Sequence, residues 1–275
     1  MTSVWTVPRS SFIDSPVLCH ANELLSVRLA RTTDEVEAAL KLRYEVFNLE
    51  LQEGPASAFR TGRECDEFDG DSQHLIMVDP TQHRIIGTCR LRTYEIAKTT
   101  QGFSSSRQFD LSALPPEILA NAIEVSRVCI AKTHRNSEAK RLLLNGLGLS
   151  LFQHKKRYIF SSLSLSTQNP THAGHLFDQL NREGHVHPQF RLTPKPGFKC
   201  LWYRMPEERT TEVAVSNWIR ILLQFGAKVC GSPATNRQFR TIELPFFLDG
   251  KQLDEIGGAA CTSLVSGNDC GLIPP

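Results

Sequence analysis

Apolar positions recur along this chain with two periods, and the switches between them mark out the elements. Ser26-Val27-Arg28-Leu29-Ala30-Arg31 alternates with period two and predicts a strand. Thr32-Thr33-Asp34-Glu35 follows as a capping box, with Thr32 as N-cap and Glu35 three residues on. Val36, Leu40, Tyr44 and Phe47 then recur at helical spacing, so a helix over 34–47 lays one face on a core. His74–Val78 and Arg84–Arg92 read as strands around the turn-rich Asp79-Pro80-Thr81-Gln82-His83, a hairpin. Thr93 to Ala122 is expected to be mostly irregular, anchored by Phe103, Phe109 and Leu111, with a short helical turn after Pro115-Pro116. Ile123–Ile130 is a strand and 131–137 a loop. Glu138–Lys156 is a helix with an apolar face of Leu142, Leu143, Leu147, Leu149 and Phe152. Tyr158–Leu163 is the next strand and Thr171–Glu183 the next helix, stopped by Gly184. Short strands are expected around Phe190–Leu192 and Cys200–Arg204. Val215, Trp218, Ile219, Leu222 and Leu223 then mark a helix ending before Gly226, and Thr241–Leu244 an edge strand.

This order predicts an α/β fold, a mixed sheet flanked by helices with a C-terminal helical extension. Residues 1–24 are expected as a flexible arm, 25–206 as the main domain, 207–256 as a helix and strand extension packed on it, and 257–275 as a disordered tail.

The pattern breaks most sharply in Ile123-Glu124-Val125-Ser126-Arg127-Val128-Cys129-Ile130, a β-branched run with a carboxylate, a hydroxyl and a guanidinium at its centre. Burying an ionised side chain without a partner costs several kcal/mol, so this strand faces either a cleft or an internal ion pair. Alternation alone would put Glu124 and Arg127 on opposite faces. A bulge between them would re-aim both side chains into one space.

Composition changes this picture little. The chain has 275 residues, 40% of them hydrophobic and 22% charged, with a net charge of +2, so only local charge clusters can indicate a partner, and nucleic acid is not expected. The eight cysteines show no C-x-x-C spacing and read as reduced thiols. Residues 1–20 contain Pro8, Arg9, Asp14 and Pro16 instead of an apolar export signal, and the most apolar helix, Leu142–Phe152, is too short to span a bilayer. The expected location is the cytoplasm, with peripheral contact at the inner membrane face.

The element order resembles the Gcn5-related N-acetyltransferase fold. Leu42-Arg43-Tyr44-x-Val46-Phe47, Asp66-Glu67-Phe68-Asp69, Gly87-Thr88-Cys89-Arg90-Leu91 and Glu124-Val125-Ser126-Arg127 resemble its long-chain branch of acyl-homoserine-lactone synthases, N-acyl amino acid synthases and ornithine-lipid N-acyltransferases. Gly102-Phe103-x-Ser105, Phe109-Asp110-Leu111-Ser112, the run from Phe225 to Ala234 and Phe239-x-Thr241 are similar to the last group. There are departures. Thr133-His134-Arg135-Asn136-Ser137 has no glycine where the fold's coenzyme A loop has several, Glu-Val-Ser-Arg replaces Glu-Leu-Gly-Arg, and the lactone synthases' aromatic residue is absent around Leu49–Leu51.

The resemblance implies attack of a primary amine on a long-chain acyl thioester. Glu124 is then the candidate base, with Ser126 beside it. Phe47, Arg43, Arg90 and Arg127 would bind substrate, the arginines holding a carboxylate or supporting the acidic pair, and Asp66 and Asp69 would orient a cationic amine. No bound cofactor or metal is implied. The donor is carried by acyl carrier protein, or is acyl-coenzyme A, and Lys132, Arg135, Lys140, Arg141, Lys155 and Lys156 form a basic surface for the acidic carrier. Ornithine is the first-choice acceptor and would give a lyso-ornithine lipid. Glycine or another amino acid, or a lactone-type synthase, is the alternative within the fold, and a lipid- or protein-binding module the alternative outside enzymes. A metal hydrolase built on His172, His175, His185 and His187 lacks an acidic ligand in a matching motif.

Overall fold

The computed structural model describes residues 19–21, 25–165, 167–202 and 215–252. The tail expected over 257–275, most of the arm expected over 1–24 and the domain boundary near 206 lie outside the described residues.

The strands are β1 (Cys19–Ala21), β2 (Leu25–Leu29), β3 (Gln73–Asp79), β4 (Arg84–Thr93), β5 (Phe109–Asp110), β6 (Ala122–Ile130), β7 (Tyr158–Ser164), β8 (Thr193–Pro194), β9 (Lys228–Val229), β10 (Ala234–Asn236) and β11 (Thr241–Asp249). Helices α1 (Thr33–Arg43), α2 (Tyr94–Thr99), α3 (Pro116–Ala120), α4 (Ser137–Gln153), α5 (Pro170–Arg182) and α6 (Asn217–Gln224) alternate with them. Nine strands make one mixed sheet in the order β1-β2-β3-β4-β6-β7-β11-β10, with β9 also on β11, while β5 and β8 pair separately. The predicted α/β class is what the chain forms.

Several elements depart from the sequence expectation. Cys19–Ala21, inside the expected arm, pairs antiparallel with β2. Helix α1 begins where its box predicts, Thr32 accepting from the Glu35 N–H at 3.2 Å, but after Arg43 it widens into a π-helix over Tyr44–Glu50. The stretch expected to be irregular holds α2, capped by Thr93. The largest difference is β11. It is an inner strand, paired with β7 from Glu243↔Ser164 to Asp249↔Tyr158, so the C-terminal extension completes the sheet. Its Pro245 and two consecutive phenylalanines break the alternation that would have marked it as a long strand.

The main core lies between one sheet face and α4, α5 and α6. Val27, Leu75, Leu91, Val125 and Leu244 meet Leu143, Leu147, Leu176 and Ile219 there. Helix α4 comes so close to β2 that a Cβ on Gly146 would stand 2.4 Å from Val27 Cγ1, so only glycine fits. A second, aromatic core of Phe103, Phe109, Phe160, Phe190 and Phe247 seats the segment from α2 to α3.

Two features of β6 position the site. The expected bulge exists, displaced toward the strand's end. Thr88 pairs with Cys129 but Arg90 with Ser126, so Arg127 and Val128 together oppose Cys89. Arg127 has φ 55°, in the left-handed region that costs a non-glycine residue about 1–3 kcal/mol. The extra residue swaps the faces: Ile123 and Val125 enter the main core, as does Ile130, while Cys129 packs on Leu42 and Val46. The second feature is that β6 pairs with β7, in parallel, only from Ala122↔Tyr158 to Val125↔Ser161. Both strands continue beyond that point, and they part.

Candidate active site

A cleft of about 500 Å³ opens where β6 leaves β7. Ser126–Ile130 line one side and Ser161–Leu165 the other, with Val46 and Phe47 from the π-helix, Leu51 just after it, and Asn236, Phe239, Thr241 and Glu243 from the C-terminal hairpin.

Beside this cleft three arginines and three acids alternate in a closed ring. Arg43 binds Glu64, and it binds Asp69 through both guanidinium Nη atoms at 2.6 and 3.1 Å. Arg127 joins Glu64 at 3.1 Å to Asp66 at 3.0 Å, and Arg90 joins Asp66 at 2.5 Å to Asp69 at 3.0 Å. The acids sit on the turn between α1 and β3, the arginines on α1, β4 and β6. The ring therefore ties three distant segments together. Burial alone would raise the carboxyls, but Arg43 and Arg90 hold Asp69 well below the usual carboxylate range, and Arg90 and Arg127 hold Asp66 below it. Burial opposes charge on Arg43 too, and Asp69 and Glu64 outweigh it.

Ring membership sorts the expected site residues. Arg43 is 0% exposed and Asp69 is buried. Neither lines the cleft, and their hydrogen bonds go to the ring and the neighbouring backbone, so Arg43 takes the second of its expected roles, support of the acids, while Asp69 is not free to meet a substrate as expected. Asp66, Arg90 and Arg127 do line it, as does Phe47. The third acid of the ring is Glu64, not Glu124. Its sequence signal was the run Glu64-Cys65-Asp66, which makes Glu64 an additional member of the acidic turn.

Glu124 lines the cleft floor at 2% exposure, and each of its oxygens accepts one backbone N–H at 2.7 Å, from Ser104 and from Ser105. Of the two settings the strand left open, Glu124 takes the cleft, and this pair of amides stands where an arginine would complete an ion pair. Arg92, which faces Glu124 across the sheet, holds the same loop from the other side: it donates to Gly102 O at 3.0 Å and to Thr100 Oγ1. Ser126 Oγ accepts from Arg90 Nε at 3.1 Å, which fixes the hydroxyl beside the cleft. Arg127 lies over the Phe239 ring, 4.3 Å from its centre. That cation–π contact and the two acids hold the strained residue in place.

The expected basic surface divides in two. Lys132, Arg135, Lys140 and Arg141 lie before and at the start of α4, whereas Lys155 and Lys156 follow its end, about 25 Å away for 17 residues at 1.5 Å each. Arg135 is bound to Glu50 through both Nη atoms at 2.7 and 2.9 Å, and Lys156 to Glu95 and Ala120 O, both at 2.6 Å, so these two serve internal pairs. Lys132, Arg141 and Lys155 are exposed, and Lys140 reaches the cleft.

Two further acids line the cleft that sequence reasoning passed over, Glu53 and Glu243. The signal for Glu243 was available, since Thr241-Ile242-Glu243-Leu244 is an apolar strand with a charge at its centre, the same anomaly that singled out Glu124.

A nine-stranded mixed sheet whose two parallel strands part over a cleft holds these ordered carboxylate, hydroxyl and guanidinium groups, and similarity to known proteins gives their class, an acyltransferase. The acetyltransferase (GNAT) domain family matches residues 42–145. Among curated proteins, L-ornithine N(alpha)-acyltransferase of Rhizobium meliloti is 25% identical over 86% of this chain and 85% of its own length. The L-ornithine N(alpha)-acyltransferase of Agrobacterium fabrum is 32% identical over 48% of this chain and 47% of its own. Among solved structures, FeeM, an N-acyl amino acid synthase from uncultured soil microbes, aligns with a TM-score of 0.46 at 11% identity, covering 84% of this chain and 93% of that one. The chain is an acyltransferase by these matches, and it is similar to the ornithine N-acyltransferases among them. Among the described residues no helix is long and apolar enough to cross a membrane.

Proposed function

We propose that this chain transfers a long-chain 3-hydroxyacyl group from acyl carrier protein to the α-amino group of ornithine, giving a lyso-ornithine lipid. The observation that carries this reading is the two-sided cleft. Its floor is polar, with Glu124, Ser126, Asp66 and Arg127, while Val46, Phe47, Leu51, Val128, Leu163 and Leu165 offer an apolar path for an acyl chain. The naming of the relatives supports ornithine as acceptor.

In the reaction the ammonium first loses a proton, its nitrogen attacks the thioester carbon, the C–N bond forms and the C–S bond breaks. A second proton leaves the nitrogen, and the departing thiolate takes up one proton. Glu124 is the base in this reading: each carboxylate oxygen has two acceptor sites, and the amides of Ser104 and Ser105 occupy one on each, leaving room for a water that relays the proton. Ser126, fixed by Arg90, orients the attacking amine. The oxyanion meets backbone N–H groups around the Arg127 bulge, where β6 no longer pairs with β7. Lys140 and the first turn of α4, with exposed Lys132 and Arg141, receive the anionic arm of the donor and the acidic carrier. The product then leaves toward the inner membrane face, which the enzyme touches peripherally.

The test is the purified protein with a 3-hydroxyacyl thioester, carrier-bound or on coenzyme A, and ornithine. Thiol release that depends on the amine, with the N-acyl product seen by mass, is expected. No release with any amino acid overturns the reading, and equal kcat/KM for glycine and ornithine reduces it to a general N-acyl amino acid synthase.

A further inference from the structure

Glu53 and Glu243 come from opposite ends of the chain and meet in the same cleft. Each is built into place. Gln52 has φ 57°, and this turn lets the N–H groups of Glu53 and Gly54 both donate to Phe47 O, at 2.8 and 3.0 Å, fixing Glu53 against the end of the π-helix. Glu243 accepts from Ser162 Oγ at 2.8 Å through one oxygen, and from Asn236 Nδ2 at 3.0 Å and Thr241 Oγ1 at 3.1 Å through the other. All three donors are neutral. Among the described residues neither acid has an ion pair, whereas Glu64 and Asp66 are in the ring and Glu67 pairs with Arg107; Glu124, the remaining acid of the cleft, is held by two backbone amides. Burial first, then the charge of Glu243, pushes the Glu53 carboxyl above its ordinary value. Two carboxylates sharing a half-buried wall without a cation leave a charge deficit there.

The opposite deficit lies in the same cleft. Arg90 is 1% exposed, and its Nη2 has no partner although Nε and Nη1 are both used. Gln108, buried as well, has an unpartnered Nε2. Leaving such donors buried and unmade costs about 1–3 kcal/mol each, and more for a charged group. These donors call for a carboxylate as the acidic wall calls for a cation. A zwitterion carrying a second ammonium satisfies both.

We propose that Glu53 and Glu243 form the subsite for the distal ammonium of the acceptor amino acid, with Arg90 Nη2 and Gln108 Nε2 receiving its carboxylate. This rests on the ornithine reading above and assigns its selectivity to particular side chains. The two acids are binding residues that distinguish a diamino acid from a neutral one of the same length. They take no part in proton transfer.

The experiment compares kcat/KM for ornithine and for norvaline, its near-isostere without the distal amine, in the wild type, Glu53→Gln and Glu243→Gln, with one long-chain thioester. The wild type should prefer ornithine strongly. Each variant should lower the ornithine-to-norvaline ratio by about tenfold or more, the effect of losing a hydrogen bond between charged groups, and do so through KM more than kcat. Wild-type preference with unchanged ratios in both variants overturns the subsite while leaving the ornithine reading standing. A wild-type ratio near unity overturns both. Glu53 makes no side-chain hydrogen bond among the described residues, so Glu53→Gln removes no structural contact and decides the question even if Glu243→Gln, which disturbs three bonds, fails to fold.

Discussion

Two acid-rich regions border the cleft, and they are opposites in charge balance. In the ring, Glu64, Asp66 and Asp69 are matched one for one by Arg43, Arg90 and Arg127 and lie deep enough that water contributes little. On the other acidic wall, Glu53 and Glu243 are held by backbone and neutral donors and, among the described residues, matched by no cation. A closed set of opposite charges is a structural joint, because removing any member strands another in a medium of low dielectric. An unmatched pair is poised for a ligand instead. Acidity alone does not separate the two; the presence of a fixed arginine does.

The largest effect should come from opening the ring. Arg43→Met leaves Glu64 without its helix partner and strips Asp69 of its bidentate contact, so urea denaturation should show a loss of about 3–5 kcal/mol. A loss below 1 kcal/mol would mean that the ring is not the joint that holds the acidic turn against β4 and β6.

Glu124 lines the same cleft as both regions, and its substitution comes next. Glu124→Gln turns one acceptor into an NH₂ that must face the N–H of Ser104 or Ser105, so about 1–3 kcal/mol of stability should go. Turnover should fall roughly 10²-fold or more if the carboxylate is also the base. Full turnover at saturating substrate in a destabilised variant would leave Glu124 as the anchor of the 103–107 loop alone.

The smallest effects are those of pH, and they have opposite signs in the two regions. The folded pKa values of Asp66 and Asp69 lie below their unfolded values, so the stability they contribute is fully present above about pH 4 and is lost as pH falls below it. Glu53 is shifted upward, so its contribution is fully present below the unfolded value, about 4.3, and is lost as pH rises through the folded one. Glu53→Gln should therefore stabilise the ligand-free protein at pH 7 by at most about 1 kcal/mol, since solvent screens part of the repulsion. Thermal melts between pH 3 and pH 8 check both signs, and a destabilising Glu53→Gln at pH 7 would show that a cation already neutralises the wall.

What the sequence by itself determined is local. The capping box at Thr32, the hairpin of β3 and β4, the helix Ser137–Gln153 and the strand carrying Glu124 and Arg127 were all legible, because propensity and periodicity act over a few residues. The motifs around Arg43, Asp66, Arg90 and Glu124 also resembled those of an acyltransferase group, and so pointed to the fold. Which charge meets which was decided only by the tertiary structure. Glu64 entered the ring and Glu124 left it for two amides; one displaced bulge residue, Arg127, set the direction of a side chain that strict alternation would have sent elsewhere. The inner place of β11, and with it Glu243, depended on a pairing with β7 some 80 residues away in sequence. Pairing of that range follows from packing the whole sheet, and ion pairs follow from the packing. A charge in the sequence therefore marks that a partner or a ligand is needed, while the assembled sheet determines which of the two it meets.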